Sequence, residues 1–212
     1  MQEDEMTLKR IFPFIIVVGL IIGSSPSLAY SEQPMDALQG PVDQIVKILQ
    51  DPQFKNNANR KLQTKQLKEA IDKIFNFGLI ARGTIGRYDW NKFTLGQRSE
   101  FKKIFSEFIS NVYFNKIQGD YSDVKISYLE QVMRSDTSAR IKTVVIRESG
   151  EIPIDYSMKL IDGKWWVYNV FVEGPSLLGN YRDEHQRILL KGSYADLIEQ
   201  LKKKIEKQKS KK

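Results

Sequence analysis

The sequence predicts one α+β domain in which helices precede and follow a four-stranded antiparallel sheet. Three observations carry this. Between residues 124 and 172, four stretches alternate apolar and polar residues, the period of a half-buried strand, and short Gly- or Asp-containing turns separate them. From Val42 to Tyr113, apolar residues recur at spacings of three and four, the period of a helix packed on one side. The same spacing returns after Ser176.

In chain order, Lys9-Arg10 precedes an apolar run over residues 11–23, and small residues follow at Ser27 and Ala29. This is the pattern of a cleaved export signal over residues 1–29, with a mature chain beginning near Tyr30. The run is shorter than the ~20 residues that a membrane-spanning helix needs, and it contains Pro13. No cysteine follows it, so lipid anchoring is excluded. The absence of cysteine also removes disulfides, thiol nucleophiles and thiolate metal sites. A single domain over residues 30–201 must therefore rely on its core.

Pro41 fits the first turn of a helix that carries Val42, Ile45, Val46 and Leu49, and Asp51-Pro52 ends it. A second helix carries Leu67, Ala70, Ile71, Ile74 and Phe75. A short apolar helix then closes at Gly83-Thr84-Ile85-Gly86. Thr94 and Gln97 form a capping box ahead of the most regular helix, whose stripe is Phe101, Ile104, Phe105, Phe108, Ile109, Val112 and Tyr113. Gly119-Asp120 closes this half of the chain.

Val124, Ile126 and Tyr128 line one face of the first strand, and Ile141, Thr143 and Val145 one face of the second. In the third, Ile152, Ile154, Tyr156, Met158 and Leu160 share a face. In the fourth, Trp166, Tyr168, Val170 and Val172 do, leaving Trp165, Val167 and Phe171 on the other side. Asp162-Gly163 turns the chain between them. A two-residue loop would pair Ile161 with Lys164 and set Tyr156 against Asn169. A three-residue loop pairs Met158 with Trp166, Tyr156 with Tyr168 and Ile154 with Val170, which keeps the apolar faces together and is the expected register. Ser176 then caps a helix ending at Gly192, and a last helix places Ala195, Ile198, Leu201 and Ile205 inward.

The formal charge is +7. Residues 1–29 hold two basic and three acidic residues, which leaves +8 on the mature chain, and +6 of this falls in residues 202–212. The body is close to neutral, so a nucleic-acid partner is not expected. The lysine-rich end reads as a solvated basic tail, either purely solubilising or drawn transiently to a membrane surface.

No enzyme signature emerges. His185 is the single histidine, which rules out a multi-histidine metal centre. Gly174-Pro175-Ser176 lacks the second glycine of a nucleophile elbow, although a Ser176–His185 hydrolase can be written down. No cofactor motif is present. What stands out is an excess of aromatic and aliphatic lining, which composition alone assigns equally to a core or to the wall of an apolar pocket.

Several segments, in order, resemble the MlaC family of toluene-tolerance auxiliary proteins. They are Phe75-Asn76-Phe77, Ile80-Ala81-Arg82, Thr94-Leu95, Gln97-Arg98, Ile152-Pro153-Ile154-Asp155-Tyr156, Asp162-Gly163-Lys164-Trp165, Val167-Tyr168-Asn169-Val170, Val172-Glu173-Gly174 and Asn180-Tyr181-Arg182. The similarity spans roughly residues 42–201. His185 stands where the family usually has an aromatic residue. The resemblance implies an NTF2-like fold and a periplasmic phospholipid carrier without catalytic activity. Such a carrier passes lipid between an outer-membrane lipoprotein complex and an inner-membrane ABC transporter with an MCE-domain subunit. It further implies an acyl-chain pocket, for which Phe105, Phe108, Ile109, Val112, Tyr128, Val145, Ile154, Tyr156, Trp166, Tyr168, Val170 and Tyr181 are the expected lining. Arg82, Arg98 and Arg182 are candidates to steer a phosphate or an acidic partner.

Overall fold

The computed structural model describes residues 32–54, 57–116 and 121–210, with the backbone alone at residues 57 and 113–116. The expected export segment, the Gly119-Asp120 break and the Tyr113 side chain lie outside the described residues. The elements discussed below belong to one unit, Ser31–Lys212.

Helix α1 (Pro34–Gln50) starts seven residues before the Pro41 start expected from spacing. Pro34 sits in the first turn, where a missing N–H is harmless. Pro41 is tolerated inside the helix because Ala37, Leu38 and Val42 around it are buried, offsetting the lost hydrogen bond. Asp51, extended before Pro52, ends the helix as expected. Helices α2 (Arg60–Ile74) and α3 (Phe77–Ile85) meet at a break where the Asn76 side chain accepts the Leu79 N–H at 2.9 Å. Gly86, at φ +82, separates α3 from α4 (Arg87–Lys92). Helix α5 (Leu95–Lys116) opens on the expected capping box: Gln97 N–H donates to Thr94 Oγ1 at 3.2 Å, and Thr94 N–H to Gln97 Oε1 at 2.9 Å.

Strands β1 (Lys125–Ser135), β2 (Ser138–Arg147), β3 (Gly150–Ile161) and β4 (Lys164–Val172) form an antiparallel meander in the order β1-β2-β3-β4. This is the α+β arrangement expected from the sequence. The β3–β4 register is not the expected one. Asp162 (φ +50) and Gly163 (φ +75) make a two-residue turn that pairs Ile161 with Lys164. The strands avoid the penalty of that register with a bulge. Met158 pairs with Val167 and Ser157 with Asn169, so Tyr168 is an extra residue. Tyr156 consequently faces Val170, and Ile154 faces Val172. Trp165 and Val167 therefore join Leu160 and Met158 on the inner face, where α1 and Ile74 cover them. Phe171 stays outside, under the Arg140 guanidinium at 3.9 Å.

Helices α6 (Leu177–Lys191) and α7 (Tyr194–Lys209) close the chain. Gly192 is extended, at φ −149, rather than left-handed. It is needed because a Cβ there would lie 2.8 Å from Asp196 Oδ2, which accepts from Ser193 N–H and Oγ. Leu197 replaces the exposed Ala195 on the inner side of α7, beside Ile198, Leu201 and Ile205. The basic tail is largely helix: α7 runs to Lys209, and Lys202, Lys204 and Lys209 pair with Glu100, Glu184 and Glu107.

Two main cores result. One joins α3, α4, α5, α6 and α7 around Phe101 and Phe105. The other joins α1 to the inner face of the sheet around Met158 and Val167. A smaller cluster lies between α1 and α2.

Candidate functional site

The inner face of the sheet is covered at one end and open at the other. Ala139, Ile141, Met158, Trp165 and Val167 are buried under the first half of α1. Farther along the same strands, Val145, Ile152, Ile154, Val170 and Val172 are half-buried. The second half of α1 stands off from them, held by the Gln50 amide, which donates to Val124 O at 2.7 Å and Tyr121 O at 3.3 Å. Tyr128 fixes the middle of α1 by donating its hydroxyl to Asp43 Oδ1 at 2.8 Å.

The gap so created is a cavity of about 610 Å³, within the usual range for small-molecule sites. Val42, Ile45, Val46 and Leu49 of α1 line one side, with Ile71 of α2 and Phe75, Phe77 and Ile80 from the α2–α3 break. Ile126, Val145, Ile152, Ile154, Tyr156, Tyr168, Val170 and Val172 form the floor. Ile109, Ser110, Leu177, Leu178 and Tyr181 close the far side. Two backbone ties anchor these walls to edge strand β4. Asn76 N–H donates to Val167 O at 3.0 Å, and Leu178 N–H donates to Asn169 Oδ1 at 3.1 Å.

Three charged residues, Lys68, Asp72 and Arg147, belong to the lining. Lys68 pairs with Asp72, and Arg147 Nη2 lies 3.3 Å from Asp123 Oδ1. The Glu148 N–H, and then Arg147, hold the Asp123 carboxyl below its ordinary range. Elsewhere the lining carries tyrosines, and burial pushes Tyr156 up to about 12 and raises Tyr181. Tyr156 and Tyr181 therefore remain neutral phenols near neutral pH.

The profile of the MlaC protein family matches residues 39–203. The chain belongs to the MlaC family. A phospholipid-binding protein from Ralstonia solanacearum, solved in complex with a phospholipid, has a similar fold. Its TM-score is 0.74 over 84% of this chain and 99% of that one, at 17% identity. No curated protein sequence matches significantly.

Seven expected lining residues of this MlaC-family chain border the cavity: Ile109, Val145, Ile154, Tyr156, Tyr168, Val170 and Tyr181. Five do not. Phe105 and Phe108 are buried in the helical core and Val112 packs against it, because the α5 stripe mainly faces α6 and α7. Tyr128 turns to Asp43. Trp166 pairs with Lys159 on the outer face, where Lys164 Nζ lies 3.8 Å from its ring, because the turn is one residue shorter than expected. The α1 stripe, Ile71, Phe75, Phe77 and Ile80 are lining that the sequence reading missed. The usable signal was Phe75 and Phe77 flanking a helix break, where polar residues are the norm.

The remaining candidates, apart from Arg82, make structural contacts. Arg182 Nε donates to Gly83 O at 2.7 Å, and Arg98 Nε to Trp90 O at 3.0 Å, so both fasten helices together. Arg82 is exposed. Ser176 Oγ caps α6 by accepting the Gly179 N–H at 2.9 Å, and it also bonds to Asn169. His185 is 1% exposed. Its ring packs edge-on to Phe101 and Phe105 at 5.6 and 5.5 Å, so it fills an aromatic position as an aromatic. Burial pushes its pKa down to about 4, and nearby Lys204 lowers it further while Glu184 opposes both.

Proposed function

We propose that this protein is an exported phospholipid carrier whose acyl-chain site is the cavity between α1, the α2–α3 break and the open end of the sheet. The observation that carries the reading is that this cavity is walled almost wholly by aliphatic and aromatic side chains, most of them left half-buried. An adaptor without cargo would close that gap, since half-buried apolar surface is costly in water. Two acyl chains with roughly thirty methylenes would cost above ~20 kcal/mol if bared to water, at ~0.8 kcal/mol each. A carrier must hide most of this surface yet surrender it to a bilayer, which needs a preformed pocket and no covalent step.

The headgroup stays near the Lys68–Asp72 and Arg147–Asp123 pairs, and the chains run toward Tyr181. The segment over residues 1–29 directs export to the periplasm. There the carrier exchanges lipid with an outer-membrane lipoprotein complex and an inner-membrane ABC transporter carrying an MCE-domain subunit. These partners rest on family membership.

Ile154→Trp tests the site. The larger side chain fills the floor of the cavity, so lipid extracted from the purified variant falls well below wild type while its thermal unfolding stays cooperative. Unchanged lipid content in a folded variant would remove the cavity as the binding site.

A further inference from the structure

Among the described residues, the three most exposed large apolar side chains are Leu190 (84%), Leu95 (82%) and Tyr88 (75%). They come from three separate helices, yet the fold brings them to one end of the helical layer. A Cβ on Gly86 would lie 3.5 Å from Gln186 Nε2, so Arg87 and Tyr88 run beside the last turns of α6, which carry Leu190. The Phe93 and Tyr194 rings meet at 4.9 Å, and Tyr194 donates its hydroxyl to Gln97 O at 2.9 Å. These contacts seat Leu95, at the first position of α5, beside the α6–α7 junction.

The same end carries the surplus of positive charge. Within seven residues in sequence of one of the three lie Arg82, Arg87, Lys92, Arg98, Lys102, Arg187 and Lys191, against Asp89, Glu100, Asp183, Glu184 and Asp196, of which Glu184 is matched by Lys204. Asp89 is taken by Lys92, Glu100 by Lys202 and the Tyr194 hydroxyl, and Asp196 by its capping box. Arg87, Arg187 and Lys191 form no ion pair among the described residues, whereas Lys202, Lys203, Lys204 and Lys209 of α7 are all matched to glutamates.

We propose that this end, made by α4, the start of α5 and the end of α6, docks on an anionic phospholipid bilayer, with Tyr88, Leu95 and Leu190 set among the headgroups. Side chains standing singly out of helix ends leave no shared concave surface for a folded partner. They do fit a fluid interface, where an amphipathic aromatic and two leucines can insert between lipids while flanking cations meet phosphates. Fifteen residues of α5, about 22 Å, separate Leu95 from Ser110 on the cavity wall, so surface binding and lipid loading are separable by mutation.

The test is flotation of the purified protein with vesicles of phosphatidylcholine alone and of phosphatidylcholine mixed with phosphatidylglycerol. Wild type should float with the mixed vesicles and be released by salt. The double variant Leu95→Asp/Leu190→Asp should lose about tenfold or more in affinity. Arg187→Gln/Lys191→Gln should lose roughly twenty-five-fold, at about fivefold per cation. Both should keep wild-type lipid content and circular dichroism. If the leucine variant fails to fold, the charge variant decides alone. Absence of wild-type binding overturns the proposal, as does wild-type affinity in the variants. Loss of binding in Lys203→Gln/Lys207→Gln alone would move the contact to α7 and overturn it too.

Discussion

His185 shows how a single ring can satisfy shape and still carry a cost. Its ring matches the edge-to-face geometry of its neighbours, but an imidazole buried there must stay neutral. Glu184 and Lys204 face it from α6 and α7, and because they pair with each other their fields largely offset. An unfolded chain takes up a proton at this histidine as pH falls below about 6.5, whereas the folded chain refuses it until about 4. Between those values the unfolded state binds more protons, so stability falls as pH falls, by up to about 3 kcal/mol. Urea unfolding of wild type and His185→Phe at pH 7 and pH 4.5 checks this. The variant should be at least as stable at pH 7 and clearly more stable at pH 4.5. Equal acid losses in both would mean that carboxylates, not His185, set the slope.

At the level of elements, α7 separates what was legible in the sequence from what was not. By composition alone its lysines read as a tail. Yet Leu201 and Ile205 are four residues apart and continue the buried face of Leu197 and Ile198. The helical period was therefore present inside the basic run. Deleting residues 202–212 removes buried Ile205 and the bridges to Glu100, Glu184 and Glu107. The loss should be about 3 kcal/mol, read as a lowered midpoint in denaturant, where a solvated tail would give no change. The strands, the Thr94 and Ser176 caps and the α2–α3 break were all readable, because periodicity and cap chemistry are local. The β3–β4 register was not. The Asp162-Gly163 turn signal is right, but a bulge has no sequence marker at Tyr168, so alternation alone puts the extra residue in the turn rather than in the strand.

For the whole molecule, the deciding feature is where α1 crosses the sheet, and no periodicity encodes that. Half of the wall was legible because strand faces follow from alternation. The α1 contribution was not, since a stripe facing a gap and a stripe facing a core look alike in sequence. The α5 stripe failed for the same reason in reverse, its phenylalanines belonging to the helical core. The two ends of the sheet should consequently differ in energetic weight. Met158→Ala, under α1, should cost about 2–5 kcal/mol by leaving a void. Ile152→Ala, on the cavity floor, should cost roughly 1 kcal/mol or less in lipid-free protein, because that side chain is already half-exposed. Denaturation of the delipidated variants measures the contrast, and similar losses at both ends would mean that the open end closes when empty.

The extra residue at Tyr168 lets a single strand serve both ends. Before it, Trp165 and Val167 point inward; after it, Val170 and Val172 do. An unbroken strand of the same composition would have to give up one set or the other. No series of point substitutions reaches this arrangement from a regular hairpin, because the phase of a strand changes only by adding or removing a residue. Sealed core and open cavity along β4 are thus separated by one insertion, and β4, usually the kind of element that drifts by substitution, is a place in this chain poorly tolerant of a change in length.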